Sequence, residues 1–196
     1  MKGGNPVNVK ASPNARETIL AAAKRAAQAH GYGGLNFRDI AQEVGIKAAS
    51  IYYHFPSKAD LGAAVARRYW EDTMKDLDNL TQSDGSSSTL RQYPGIFRRS
   101  LENANKLCLC SFMSAEYDDL PEPVKREVQT FADVNVAWLS KELIAAGIVP
   151  RKRSEERARA IFAAVAGAQL MARSRSDISL FDALIESYRT AGLLPT

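Results

Sequence analysis

The stretch Asn36-Phe-Arg-Asp-Ile-Ala-Gln-Glu-Val-Gly-Ile-Lys-Ala-Ala-Ser-Ile-Tyr-Tyr-His-Phe55 decides the fold. Asn36 suits a helix N-cap, Asp39 stands three residues on to return the capping hydrogen bond, and the helix so opened runs from Phe37 to Val44. Gly45 then supplies the left-handed backbone of a sharp turn, and Ala41 is small where a second helix must approach. That second helix covers about Ala48 to Tyr53. Ile40, Val44, Ile46, Ile51 and Phe55 are spaced to form the core between the two, which leaves Lys47, Ala48, Ala49, Ser50, Tyr52, Tyr53 and His54 on the outer face. Two short helices, a tight turn and a small, weakly charged outer face make a helix-turn-helix whose second helix can enter a major groove.

Outward from this motif the chain reads as helices throughout. Ser12 and Pro13 open a helix that runs through Ile19, Leu20, Ala23, Ala26 and Ala27 and stops at Gly31. On the other side Pro56 breaks the chain, and Ser57 with Asp60 forms a capping pair that opens a long helix to about Leu80. Thr81 to Thr89 is polar and without apolar anchors, which predicts a loop. Further helices are expected over about 89–104, 107–117, 121–146, 154–173 and 179–191, punctuated by Pro121, Gly147 with Pro150, Ser154 with Glu156, and Ser179 with Asp182. Sustained polar–apolar alternation is missing, so strands are not expected. The expected fold is all-α with about nine helices: a three-helix head over 1–56, a connecting helix over 57–80 and a helical body over 81–196.

Charge is distributed unevenly. Residues 1–70 carry a net +6 and the remaining 126 residues a net −2. A basic head on a near-neutral body suits a module that meets a polyanion. No apolar run approaches the ~18 residues of a membrane span, and Met1 to Lys10 has no secretory leader, so a cytoplasmic protein without a membrane partner is expected. The chain has two histidines, His30 and His54, both in the head, and neither metal-ligand spacing nor a phosphate-binding loop. A helical enzyme is therefore disfavoured, and no metal or cofactor is expected.

The residues Phe37-Arg-Asp-Ile-Ala, Val44-Gly-Ile and Ser50-Ile-Tyr-Tyr-His-Phe-Pro-Ser-Lys58-Ala-Asp-Leu61 resemble the N-terminal signature of tetracycline-repressor (TetR) type regulators, a likeness that spans about residues 13–70. It implies a homodimer that binds a palindromic operator on double-stranded DNA and is released by a small molecule, most often as a repressor. It places Lys47, Ala48, Ala49, Ser50 and Tyr53 against base edges and nearby phosphates, and Tyr52, His54 and Lys58 on the backbone; Asn36 and Arg38 open the other short helix within reach of phosphate. Ala48 and Ala49 stand where relatives often have larger or polar residues. Alanines can touch thymine methyls but cannot read donors and acceptors, so selectivity is expected to rest on Lys47, Ser50, Tyr53 and groove shape.

In the body, Ala160, Ala164, Ala168 and Ala172 recur every four residues, with Ala163 and Gly167 alongside. Such a stripe allows close helix approach, and with Leu180, Ala183, Leu184 and Ser187 or Tyr188 it could form a dimer seam or pack inside one subunit. Two heads on a dimer would meet half-sites about 34 Å apart. Tyr69, Trp70, Met74, Tyr93, Phe97, Phe112, Met113, Phe131 and Trp138, together with Cys108, are candidates to line a ligand pocket or to be core. The segment from Cys108 to Pro121 resembles a subgroup that includes the repressor of N-ethylmaleimide reductase and the acrylate-responsive regulator, which implies an electrophile-sensing role for Cys108. That role needs a lowered thiol pKa, with Lys106 and Arg173 as possible aids; otherwise Cys108 and Cys110 are small buried hydrophobes. A helical interaction module without specific DNA binding is the remaining alternative.

Overall fold

The computed structural model describes residues 13–196, and among these it holds nine α-helices, two single-turn 3-10 segments and no strand. The helices are α1 (Pro13–His30), α2 (Phe37–Val44), α3 (Ala48–His54), α4 (Lys58–Gln92), α5 (Pro94–Glu102), α6 (Leu109–Ala115), α7 (Glu122–Ala145), α8 (Arg151–Arg175) and α9 (Ile178–Thr190). The expected cap Ser12 lies outside the described residues. No helix among the described residues is long and apolar enough to cross a membrane.

The head forms as its sequence directs. Asn36 Oδ1 accepts from the Arg38 and Asp39 amides at 2.8 and 3.4 Å. The reciprocal arm from Asp39 is not needed, because the Asn36 amide already donates to the Gly34 carbonyl at 3.0 Å. At the other end Gly45 has φ 75°, the Ile46 amide reaches back to the Ala41 carbonyl and the Gly45 amide to Gln42. This six-to-one closure turns the chain into α3 and needs the left-handed residue that glycine supplies without strain. Ile19, Leu20, Ala23, Leu35, Phe37, Ile40, Ile51 and Phe55 are all buried, together with Leu61 and Val65 from the start of α4. Ser57 caps α4 as expected, accepting from the Asp60 amide at 3.1 Å.

Three sequence expectations change. The polar stretch 81–89 is not a loop: helical hydrogen bonding continues to Gln92, interrupted only by a kink at Gly85 (φ 73°, ψ 158°). Its threonines find partners that no local pattern announces. Thr81 Oγ1 donates to the Leu77 carbonyl and accepts from Trp138 Nε1, and the buried Thr89 hydroxyl lies 3.0 Å from both the Leu80 and Gly85 carbonyls. Ser154 does not start α8, which opens at Arg151 behind Pro150; its buried hydroxyl instead joins Ser140 of α7 to the Arg151 carbonyl, 2.8 Å in each case. Asp177, not Ser179, caps α9, and Asp182 is drawn into a two-point ion pair with Arg98 of α5 at 2.8 and 2.9 Å. In addition α5 and α6 are shorter than expected, and Cys108 stands just before α6 in extended backbone.

The body is organised on α4 lying along α7. A carboxylate fastens this seam: Glu127 Oε2 accepts from Trp70 Nε1 at 2.9 Å, and Oε1 takes both Nε and Nη2 of Arg67. Burial raises the Glu127 pKa, but the Arg67 and Trp70 hydrogen bonds more than offset it and hold the carboxyl below its usual range. A carboxyl depressed in the folded state contributes stability that is present above its unfolded pKa and fades as pH falls through the folded one. Glu127→Gln is expected to lower the urea-unfolding stability by about 1–3 kcal/mol at pH 7. The gap between variant and wild type should narrow as unfolding is repeated at pH values taken down through the acid range; a gap independent of pH would remove the carboxylate's charge from the account.

Candidate nucleic-acid interface and body cavity

α3 presents the residues singled out in the sequence on one outward surface. Ile51 alone is fully buried within it; Tyr53 is 74% and Tyr52 56% exposed, Lys47 and Ala49 are exposed, and Ala48, Ser50 and His54 are half-buried. Tyr52 is also packed by Phe37, whose ring lies 4.6 Å from its own, and His54 meets Tyr53 edge-on at 5.2 Å. Both tyrosines stay largely exposed despite these ring contacts. Lys58 turns inward over the Tyr32 ring at 4.7 Å, and its Nζ donates to the Gly33 carbonyl at 3.3 Å. Asn36 is exposed, with its side-chain oxygen spent on the cap.

Ion pairing sharpens the charge asymmetry into a direction. Arg25 pairs with Glu43, Lys24 with Asp72, Arg68 with Glu17 and Asp72, and Arg67 with Glu127. Among the described residues no acid pairs with Arg38, Lys47 or Lys58, the three cations that flank α3. Cations of α1 and α4 at Lys24, Arg25, Arg67 and Arg68 are thus matched by acids, and Arg38, Lys47 and Lys58 are not.

The aromatic candidates in the body divide. Tyr93 and Phe97 are fully buried; Tyr93 stacks on Trp138 at 5.6 Å and its hydroxyl donates to Asn135 at 3.0 Å. Trp70 is tied to Glu127, Met74 is exposed, and Phe112 lies under the Arg173 guanidinium at 5.3 Å. Of the candidates named in the sequence, Phe131 lines the cavity of about 320 Å³ that opens between α6, α7 and α8, and Trp70, Met74, Tyr93, Phe97, Cys108, Phe112 and Trp138 do not. That cavity is walled by Phe131 and Phe162 and roomy because Ser111, Ala115, Ala132 and Gly167 are small. Its signal in the sequence is mostly missing bulk at helical positions, and the search for aromatics met it only at Phe131.

Cys108 and Cys110 are both buried and unbridged. Burial pushes the Cys108 thiol up, against the partial help of hydrogen bonds from Tyr69 and Ser111, and pushes Cys110 up further. Arg173 is occupied with Phe112 and the Asn105 carbonyl. The lowered thiol pKa that electrophile sensing requires is not met in this conformation. The Cys108 amide is held by the buried Gln169 side chain at 3.1 Å, and Gln169 Nε2 donates to the Phe97 carbonyl.

The small-residue stripe of α8 also divides. Ala168 and Ala172 are buried inside the subunit with Ile161 and Val165. Ala160 and Ala163 are exposed and Ala164 and Gly167 half-buried; they share an outer face with exposed Leu170 and Met171, while Leu180 and Leu184 are half-buried on α9.

Head and body meet at one further contact. Glu116, immediately after α6, accepts the Tyr32 amide on Oε2 at 2.7 Å. Gly31 has φ 65°, and a Cβ there would collide with the Glu116 carboxylate. Only a glycine serves at that position.

A three-helix head bearing a helix-turn-helix is joined to a helical body with its own cavity. Residues 19–65 match the family described as bacterial regulatory proteins, tetR family. The fold is similar to a TetR transcriptional regulator from Legionella pneumophila, with TM-score 0.83 and 28% identity over 96% of this chain and 99% of that one. A TetR-family regulator from Agrobacterium tumefaciens gives 0.82 and 28% over 93% and 98%. The reduced form of NemR from E. coli gives 0.79 at 21% identity over 90% and 96%, a likeness of fold. No curated protein matches the chain. Over residues 19–65 the chain carries a tetR-family match, and over nearly its whole length it shares the fold of TetR-family regulators.

The Gly31–Glu116 contact can be measured as a coupling. Gly31→Ala is expected to destabilise the protein by about 1–2 kcal/mol through its backbone alone, with the collision in addition. Removing the carboxylate with Glu116→Ala relieves the collision, so the double variant should be more stable than the two single losses added together. Additive urea midpoints would show that the two residues do not touch in solution.

Proposed function

We propose that the chain is a ligand-responsive repressor that binds a palindromic operator as a homodimer. The observation that carries this reading is the unpaired cation set, Arg38, Lys47 and Lys58, around the exposed tyrosines of α3. In this reading Lys47, Ser50 and Tyr53 meet base edges and adjacent phosphates, Ala48 and Ala49 lie against thymine methyls, and Tyr52, His54, Arg38 and Asn36 follow the backbone. Lys58 exchanges the Gly33 carbonyl for a phosphate oxygen at the first turn of α4.

Pairing in this reading uses the exposed part of α8, Ala160, Ala164 and Gly167, with Leu180 and Leu184 of α9; Ala168, being internal, supports the face from behind. A small molecule held in the body would favour one spacing of the heads over another, which it can do only by binding one conformation more tightly. Residues 81–196, with the part of α4 beyond Leu80, act as the effector-binding and dimerising part, and residues 1–56 as the reader.

Duplex DNA from beside the gene, titrated at several salt concentrations, tests the reading. Binding should fall steeply with salt, and Lys47→Ala and Arg38→Ala should each lessen the slope of log K against log salt by about 0.9. Equal affinity for a scrambled duplex would sink the operator assignment. The pairing face is tested separately: Ala160→Glu with Ala164→Glu should sediment as a monomer of unchanged helicity and bind operator at least tenfold more weakly.

A further inference from the structure

We infer that the cavity between α6, α7 and α8 takes a neutral, flat, largely apolar molecule of aromatic character. The inference rests on the reading of the body as the ligand-bearing part and names the chemistry its ligand must have. Every lining residue of this roughly 320 Å³ space is uncharged. A charge carried into it would meet no counter-ion, and an unpaired buried charge is strongly disfavoured. The cation on the adjoining turn of α8, Arg173, is already held over Phe112 at 5.3 Å and directed to the Asn105 carbonyl.

The polar capacity of the walls is equally narrow. Ser114 donates its hydroxyl proton to the Cys110 carbonyl at 2.8 Å, which leaves only the oxygen to accept. Ser111 shares a hydrogen bond with the Cys108 thiol. The α7 and α8 walls are helical backbone paired within their own helices, and α6 adds one short helix preceded by Leu107 in non-helical backbone. One hydroxyl or carbonyl on the ligand can be matched; a polyol or a zwitterion cannot.

Shape supplies the aromatic preference. Phe131 and Phe162, both in the cavity wall, meet edge to face at 6.0 Å and 60°, an arrangement that a third ring can extend. Ala132 and Ala166, on the same two helices as these rings, take up little of the space, and the volume stands at the small end of ligand pockets.

Calorimetric titration of the purified full-length chain at pH 7 with three probes of one skeleton tests this: neutral 2-naphthol, anionic 2-naphthoate and cationic 2-naphthylmethylammonium. The neutral probe should bind at least tenfold more tightly than either ion. Ala132→Leu and Ala166→Leu, which fill the space from two walls, should each weaken 2-naphthol at least tenfold with helicity and melting temperature retained. Ala137→Leu, an exposed site on α7 away from the cavity, should leave 2-naphthol binding unchanged. Equal binding of the ions, no binding of 2-naphthol, or binding indifferent to both filling variants would overturn the inference. No DNA is present, so this result stands apart from the operator titrations: specific DNA binding without probe binding would fault the cavity alone, and probe binding without specific DNA binding would fault the regulator.

Discussion

A head of one 18-residue helix and two short ones has few residues with which to enclose a core, and it completes one by taking Leu61 and Val65 from the first turns of α4. The same helix then runs on for a further twenty-odd residues, about 1.5 Å each, with its flank against α7. Because α4 is buried on both accounts, the reading helix cannot change direction without some rearrangement in the body. Buried interfaces are close-packed and resist gradual deformation, so a ligand that alters the packing of α7 has a rigid rod on which to act.

How much of this the sequence disclosed follows from how local each determinant is. The helix-turn-helix was legible because Asn36, Ala41 and Gly45 act within a few residues of themselves, and their hydrogen bonds close inside the motif. The continuation of α4 was not, because Thr81 and Thr89 are satisfied by Trp138 and Leu80 and only the folded chain brings these groups together. Ser154 and Asp182 carried the look of caps for a related reason. A serine or aspartate near a helix start offers the same oxygen whether it serves its own backbone or another helix, and here Ser140 and Arg98 claim them. The cavity was hidden because it is defined by atoms that are missing. Aromatic residues attract notice, yet Tyr93 and Trp138 are occupied with each other and with Asn135 and Thr81.

The reading face is spare. Two alanines at its centre leave few donors and acceptors, and what polarity remains stands at its ends in Lys47, Ser50 and the tyrosine hydroxyls. In the proposed function, a surface of this kind would hold DNA by its phosphates and draw selectivity from groove width and deformability as much as from base edges. The buried thiols are of a piece with the body around them. Cys108 is held at its amide by Gln169, capped by Tyr69 and Ser111, and kept protonated by its surroundings, so in this conformation it behaves as a packing group.

The chain's two tryptophans both sit on the α4–α7 seam, at opposite ends of it. Trp70 donates its indole proton across the seam to Glu127, and Trp138 donates in the other direction to Thr81. The head contains neither. The intrinsic fluorescence of the protein is thus a two-point gauge of that one boundary: sliding of α4 along α7 alters the surroundings of both indoles, whereas motion confined to the reading helices leaves both dark to it.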